Sequence, residues 1–282
     1  YGSGMDSAGK GRSYMEQRET EQRNGTNGIE MERILVWHGY HSPVPVGEGS
    51  FSQVYRVTDS SGGFRACRVS DVTEQWQREC ENWQEIRHPL FPGYVEHWTE
   101  GGKGYLIMEF WDGMDLRKML ERRGRLTPGH AAWIADQIAE GIQYLHERQH
   151  PFLYRDLKPD NVMITERGEI YLVDFGAAGT EETGVEVRYG TRGYAAPEQY
   201  DGKCDARSDL YALGALLAAM AKHAKKRQKR GLWRVMEKCM QKKPEERYAS
   251  AGEVKKALRR LERKQKGRKT LRIFAVFAFL TG

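Results

Sequence analysis

The apolar period of this chain changes once, near Thr127-Pro128, and that change constrains the fold more than any other feature. Before it, apolar residues come in short β-prone runs: Val54-Tyr55-Arg56-Val57, Phe64-Arg65-Ala66-Cys67-Arg68-Val69 and Tyr105-Leu106-Ile107-Met108-Glu109-Phe110. Ser60-Ser61-Gly62-Gly63 separates the first two as a turn, and residues 73–87 read as a helix stopped by His88-Pro89. After Thr127-Pro128, Trp133, Ile134, Ile138, Ile142 and Leu145 recur at helical spacing, with short strands and more helices following. A β-rich first part and a helix-rich second part predict an α+β protein of two lobes around a cleft, a small β-rich lobe over about residues 34–108 and a larger helical lobe over about 112–263. Strand character is expected to begin at Ile34. Residues 1–33, rich in Gly, Ser, Glu, Arg, Asn and Gln, lack apolar periodicity and read as a disordered leader without a secretory apolar core.

Composition narrows the class. An apolar fraction of 39% permits a packed core, and 31 Gly without a three-residue period exclude collagen. Four cysteines, Cys67, Cys80, Cys204 and Cys239, none in a C-x-x-C pair, exclude a disulfide scaffold and a structural zinc site. They read as reduced thiols of a cytoplasmic domain. The net charge of +6 conceals a split. Residues 222–272 hold 21 Lys or Arg against 5 Asp or Glu, so the rest of the chain is net acidic by about ten charges.

Chemistry-bearing residues follow a definite order. Gly47-Glu48-Gly49-Ser50-Phe51-Ser52 lies between two strand-like runs, where glycines let backbone N–H groups approach phosphate oxygens. No Gly-Lys-Ser/Thr follows, so it is not a Walker loop. Tyr154-Arg155-Asp156-Leu157-Lys158-Pro159-Asp160-Asn161 comes later, then Asp174-Phe175-Gly176, then Ala196-Pro197-Glu198.

This ordered set resembles the eukaryotic-type (Hanks-type) serine/threonine protein kinases, in their bacterial branch, over roughly residues 40–262. The resemblance implies transfer of the γ-phosphoryl group of ATP to Ser or Thr hydroxyls of protein substrates. Asp156 is implied as the catalytic aspartate, Lys158 as the cation facing the transferred phosphoryl group, and Asn161 and Asp174 as oxygen ligands of Mg2+, with Mn2+ as the substitute ion. ATP contacts are implied at Gly47, Gly49, Phe51, Val54, Ala66, Met163 and the gatekeeper Met108. Glu109 and Trp111 fall at the hinge and Asp115 at the ribose position. Asp209 and Gly214 resemble the helix under the catalytic loop, and Glu198 and Arg247 the ion pair behind the activation segment. That segment carries Thr180, Thr183 and Thr191; Thr191 matches the threonine beside the substrate, and Thr180 or Thr183 is expected to be autophosphorylated beside Arg155.

The pattern departs at one position. Where the family places a phosphate-holding lysine, this chain has Arg68, with Glu79 as the matching helix glutamate. No Lys occurs between Lys10 and Lys103 to replace it. Arginine keeps the charge but presents it as a planar fork, so the rival expectation is a pseudokinase that binds ATP or acts as a scaffold. Smaller departures put Ser52 at the third loop glycine and Tyr154 where the family has histidine.

Residues 264–282 continue the basic run and end in Ile273–Leu280, apolar without a break but far short of the about 20 residues a bilayer needs. A basic stretch before an apolar run reads as the flank and start of a membrane helix facing anionic lipid. The alternatives are a solvated or folded-back helix and nucleic-acid contact; the tail lacks the interleaved aromatics of the last.

Overall fold

A computed structural model describes residues 29–49, 52–123, 126–180, 190–222 and 226–266. Residues 1–28 of the leader, Phe51, Thr183 and residues 267–282 lie outside the described residues. The chain divides into two compact units: the described part of Tyr1–Val72 with Val95–Phe110, and Thr73–Tyr94 with the described part of Trp111–Gly282.

The first unit is an antiparallel five-stranded sheet in the order β1-β2-β3-β5-β4, from β1 (His41–Gly49), β2 (Ser52–Thr58), β3 (Phe64–Asp71), β4 (Tyr94–Glu100) and β5 (Lys103–Glu109). The turn between β2 and β3 is held by Asp59, whose Oδ1 accepts from the Ser61 and Gly63 N–H groups at 2.9 and 2.8 Å. Strand alternation sorts the side chains of β2, β3 and β5. Val57, Cys67, Tyr105 and Ile107 point to one face and form a core.

That core also takes Ile34 and Leu35, which corrects the expected strand and leader boundaries: residues 29–37 form a helix, α1. Met31, Ile34 and Leu35 stand at i, i+3 and i+4, a spacing too short to stand out beside the polar leader, and they pack on the sheet. The opposite face carries Val54, Ala66, Arg68 and Met108: Val54 pairs with Arg68, and Ala66 with Met108.

The second unit is mostly helical, with α2 (Glu74–Glu85), α3 (Leu116–Arg123), α4 (Pro128–His146), α5 (Ala206–Met220), α6 (Lys226–Cys239) and α7 (Ala251–Lys266). A small sheet, β6 (Gly113–Asp115), β7 (Val162–Thr165) and β8 (Ile170–Leu172), lies in sequence between them. Helix starts follow capping chemistry. Thr73 Oγ1 accepts from Trp76 N–H at 3.1 Å, and Thr127 Oγ1 from His130 N–H at 3.2 Å with Pro128 in the first turn. Helix α4 buries Ile134, Ile138, Ile142 and Leu145, four of the five residues whose spacing marked it. All four cysteines are free thiols; burial pushes those of Cys67 and Cys239 up to about 12, in Cys239 against the opposing charges of Arg247 and Lys238.

Among the described residues no helix is long and apolar enough to cross a membrane.

Candidate active site

The loop after α4 is built on one buried carboxylate. Asp209, in the first turn of α5, is fully buried and accepts from the Tyr154 N–H at 2.9 Å, the Arg155 N–H at 2.7 Å and His146 Nε2 at 2.8 Å. A buried carboxylate is costly unless its oxygens are filled, and three donors fill these. Helix α5 starts at Asp205, whose side chain accepts from Arg207 N–H while Ser208 Oγ accepts from Asp205 N–H. The cap fixes where Asp209 falls on the helix.

Arg155 stands at φ 65°, a left-handed conformation that costs a side-chain-bearing residue about 1–3 kcal/mol. Its surroundings hold it there from both sides. Its N–H is on Asp209, its carbonyl accepts from Gln199 Nε2 at 3.1 Å, and its Nη2 donates to the Thr180 carbonyl at 2.6 Å. The turn delivers Asp156 beside Lys158. Lys158 Nζ donates to Asp156 Oδ2 at 2.6 Å and to Thr191 Oγ1 at 3.2 Å, while Thr191 Oγ1 donates to Asp156 Oδ1 at 2.8 Å. Asn161 Nδ2 donates to the Asp156 carbonyl at 2.9 Å.

The Asp174-Phe175-Gly176 segment is tied to this loop. Val173 N–H donates to the Asn161 carbonyl at 3.0 Å, Tyr154 Oη donates to the Val173 carbonyl at 2.5 Å, and Leu153 and Gly179 exchange backbone bonds. Burial pushes the Tyr154 phenol well above its ordinary range, so it remains a donor. Phe175 is buried among Trp83, Phe91 and Tyr154, with ring centroids 4.5, 5.2 and 5.4 Å away. Asp174 stands at φ 71°, and its Oδ1 accepts from Gly176 N–H at 3.0 Å.

This donor set fits a hard cation. The amide nitrogen of Asn161 is spent on Asp156, which leaves Oδ1 as its ligating atom, and Asp174 adds a carboxylate. Among the described residues no group of three or more His, Cys, Asp or Glu could hold a metal. An ion on Asn161 and Asp174 would complete its shell with phosphate and water oxygens, as Mg2+ commonly does.

The remaining expected residues fall on both units. On the first, Gly47 pairs with Val54 and Gly49 with Ser52, so both glycines flank the tip of the β1–β2 hairpin. Val54, Ala66, Arg68 and Met108 share one sheet face, and Glu109 pairs with Arg65 at the end of β5. On the second, Glu79 is buried in α2, and Asp115 pairs with Met163 across β6 and β7. The Asp115 carboxylate caps α3 through Lys118 N–H at 2.8 Å and meets Lys118 Nζ at 3.0 Å. The Trp111 ring stacks on Tyr171 at 4.1 Å.

Glu198 and Arg247 form a two-pronged ion pair, at 2.5 and 2.7 Å, and Ser208 Oγ adds a third bond to Glu198. Burial pushes the Glu198 carboxyl up, but the Arg247 and Ser208 hydrogen bonds outweigh it and hold the group below its ordinary value.

Three participants escaped the sequence reading. His146, in the last turn of α4, closes the Asp209 cage. Gln199 is buried and bridges the Ala196 N–H and the Arg155 carbonyl. Arg117 grips Asp160 of the catalytic loop with two bonds, at 2.5 and 2.6 Å. Only Gln199 carried a local signal, as the residue immediately after Ala196-Pro197-Glu198.

A five-stranded antiparallel unit, a helical unit, and an Asp-Lys-Asn loop locked to an Asp-Phe-Gly segment are together the architecture of the protein-kinase class. The comparisons agree. The protein kinase domain model matches residues 40–264, and the chain belongs to the protein kinase family. Over 183 residues it is 31% identical to Aurora kinase B of Xenopus tropicalis, covering 61% of this chain and 50% of that protein. It is 31% identical over 204 residues to a probable serine/threonine-protein kinase of Corynebacterium efficiens, covering 65% and 31%. It is 34% identical over 192 residues to the serine/threonine-protein kinase pkn2 of Myxococcus xanthus, covering 61% and 23%. The chain thus spans half or less of the length of these curated relatives.

Proposed function

We propose that the chain is a protein serine/threonine kinase that uses ATP and Mg2+ to phosphorylate protein hydroxyls, its own among them. The observation that carries the reading is the Asp156–Lys158–Thr191 cluster, in which one carboxylate, one ammonium and one hydroxyl lie within hydrogen-bond reach of each other. Asp156 orients the incoming hydroxyl and accepts its proton, a role worth about 10²–10⁴ in rate. Lys158 neutralises charge on the transferred phosphoryl group. The hydroxyl of Thr191 already occupies Asp156, the position an acceptor hydroxyl takes. Asn161 and Asp174 would hold the metal, which would supply positive charge against the phosphates.

Arg68 supplies the positive charge for which the family uses lysine, at a longer reach and in a fork. This predicts a competent but attenuated kinase. Thr180, whose carbonyl is held by Arg155, is a site of autophosphorylation, with Thr183 as the other. The tail, residues 264–282, contacts an anionic membrane; its charge and the apolar run behind it support this.

The test is incubation of the protein with γ-labelled ATP and Mg2+, followed by phosphoamino-acid analysis and phosphopeptide mapping. Label on Ser or Thr, with Thr180 or Thr183 among the sites, is expected. Nucleotide binding without any transfer, to the chain or to added protein, would make it a pseudokinase.

A further inference from the structure

Two basic runs that are separate in sequence converge in space. Helices α6 and α7 together hold thirteen Lys or Arg against three Glu. They cross at Gly231, where a Cβ would lie 2.5 Å from the Leu261 side chain. A side chain at 231 would have to push the end of Leu261 aside, so the N-terminal half of α6 meets the C-terminal half of α7 there.

The apolar side of α6 is already used. Leu232, Val235, Met236 and Cys239 are buried, and α7 buries Ala251, Val254 and Leu258. Trp233 has no place on that side and is 55% exposed, next to the exposed Arg234. Trp233 and Arg234 fall between the buried positions 232 and 235 and lie on the exposed side of the helix. On α7, Lys256 and Arg260 are exposed. Arg259 and Lys255 are partly neutralised by Asp136 and Glu140 of α4, whereas no ion pair among the described residues engages Arg234, Lys256 or Arg260.

We propose that the outer side of the α6–α7 crossing docks on an anionic phospholipid bilayer, with Trp233 as its interfacial anchor and Arg234, Lys256 and Arg260 facing the headgroups. The proposal rests on the membrane reading of the tail, and assigns a folded surface to the same partner. Tryptophan is the residue whose apolar body and polar N–H suit the headgroup layer. The chain leaves α7 into residues 267–272, which are basic, and then into Ile273–Leu280. A bilayer suits that order of cations followed by apolar residues. A single exposed tryptophan is a poor stacking platform for nucleic acid, which uses aromatics in series.

The test uses the full chain and vesicles of phosphatidylcholine, with and without phosphatidylglycerol. Three variants are compared with wild type: Trp233→Ala; the combined Arg234→Glu, Lys256→Glu and Arg260→Glu; and a tail variant with Lys264, Lys266, Arg268, Lys269 and Arg272 changed to Gln. Wild type is expected to sediment with phosphatidylglycerol vesicles only. Each of the first two variants is expected to bind about tenfold more weakly, with an unchanged melting temperature. If the triple variant does not fold, Trp233→Ala alone decides. Wild-type binding by both, with loss confined to the tail variant, would overturn the docking face and leave the tail reading standing. No vesicle binding by wild type, or binding to a nucleic-acid duplex in preference to vesicles, would overturn both.

Discussion

At the scale of single residues, the site was legible wherever chemistry leaves only one residue type able to serve. Asp156, Lys158 and Asn161 were implied by the resemblance to the protein kinases, and the structure brings all three together with Thr191. His146 and Arg117 were not legible, because their partners, Asp209 and Asp160, lie 63 and 43 residues away. Pairings across such distances leave no local periodicity. Within the Asp209 cage, His146→Ala removes one of three donors to a buried carboxylate and is expected to cost about 1–3 kcal/mol, read as a lower midpoint in urea unfolding. His146→Gln retains a donor and should recover part of that loss; equal losses for both variants would show that the bond is not what matters.

At the scale of elements, patterning worked where one face is buried and failed where the stripe is short. Helix α4 is long, and its apolar residues recur over nearly its whole length. Residues 29–37 show only Met31, Ile34 and Leu35, too few to separate from the preceding polar run, and only packing on the sheet reveals the helix. Helix-to-helix fit gives a sharp prediction at Gly214, where a Cβ would stand 2.6 Å from Cys239 Cβ and 2.9 Å from Met240 Cγ. Gly214→Ala is expected to destabilise by about 1–3 kcal/mol despite alanine's better helix propensity, seen as a lower melting temperature.

The Glu198–Arg247 pair joins the segment before α5 to the turn before α7, and it carries a pH signature. Glu198 has a depressed pKa in the folded protein, so its contribution is present above the unfolded value of about 4.3 and is lost as pH falls through the lower folded value. The stability gap between wild type and Glu198→Gln should therefore be constant near neutrality and shrink below about pH 4. A gap independent of pH down to acid unfolding would contradict the pairing.

At the scale of the whole molecule, the net charge of +6 describes no surface the protein presents. The acidic excess of about ten charges is spread over the chain outside residues 222–272, and the basic excess lies within them, most of it on α6, α7 and the tail. Composition showed the split, but only the Gly231–Leu261 crossing shows that two basic runs share one place. Ligand linkage acts at this scale too. Saturating ATP with Mg2+, at about 100 times its dissociation constant, should stabilise the chain by about 2.7 kcal/mol, roughly 5–10 °C in melting temperature. Asp174→Asn should lose the Mg2+-dependent part of that shift while keeping its own melting temperature without ligand.

The central claim is that the Asp156 cluster transfers phosphate and that Arg68 attenuates without abolishing it. The most direct measurement is the initial rate of label transfer from γ-labelled ATP, at saturating nucleotide, for wild type, Asp156→Asn and Arg68→Lys. The account predicts measurable wild-type transfer, a fall of about 10²–10⁴ for Asp156→Asn with nucleotide still bound, and a gain for Arg68→Lys. A wild-type rate equal to that of Asp156→Asn would contradict it.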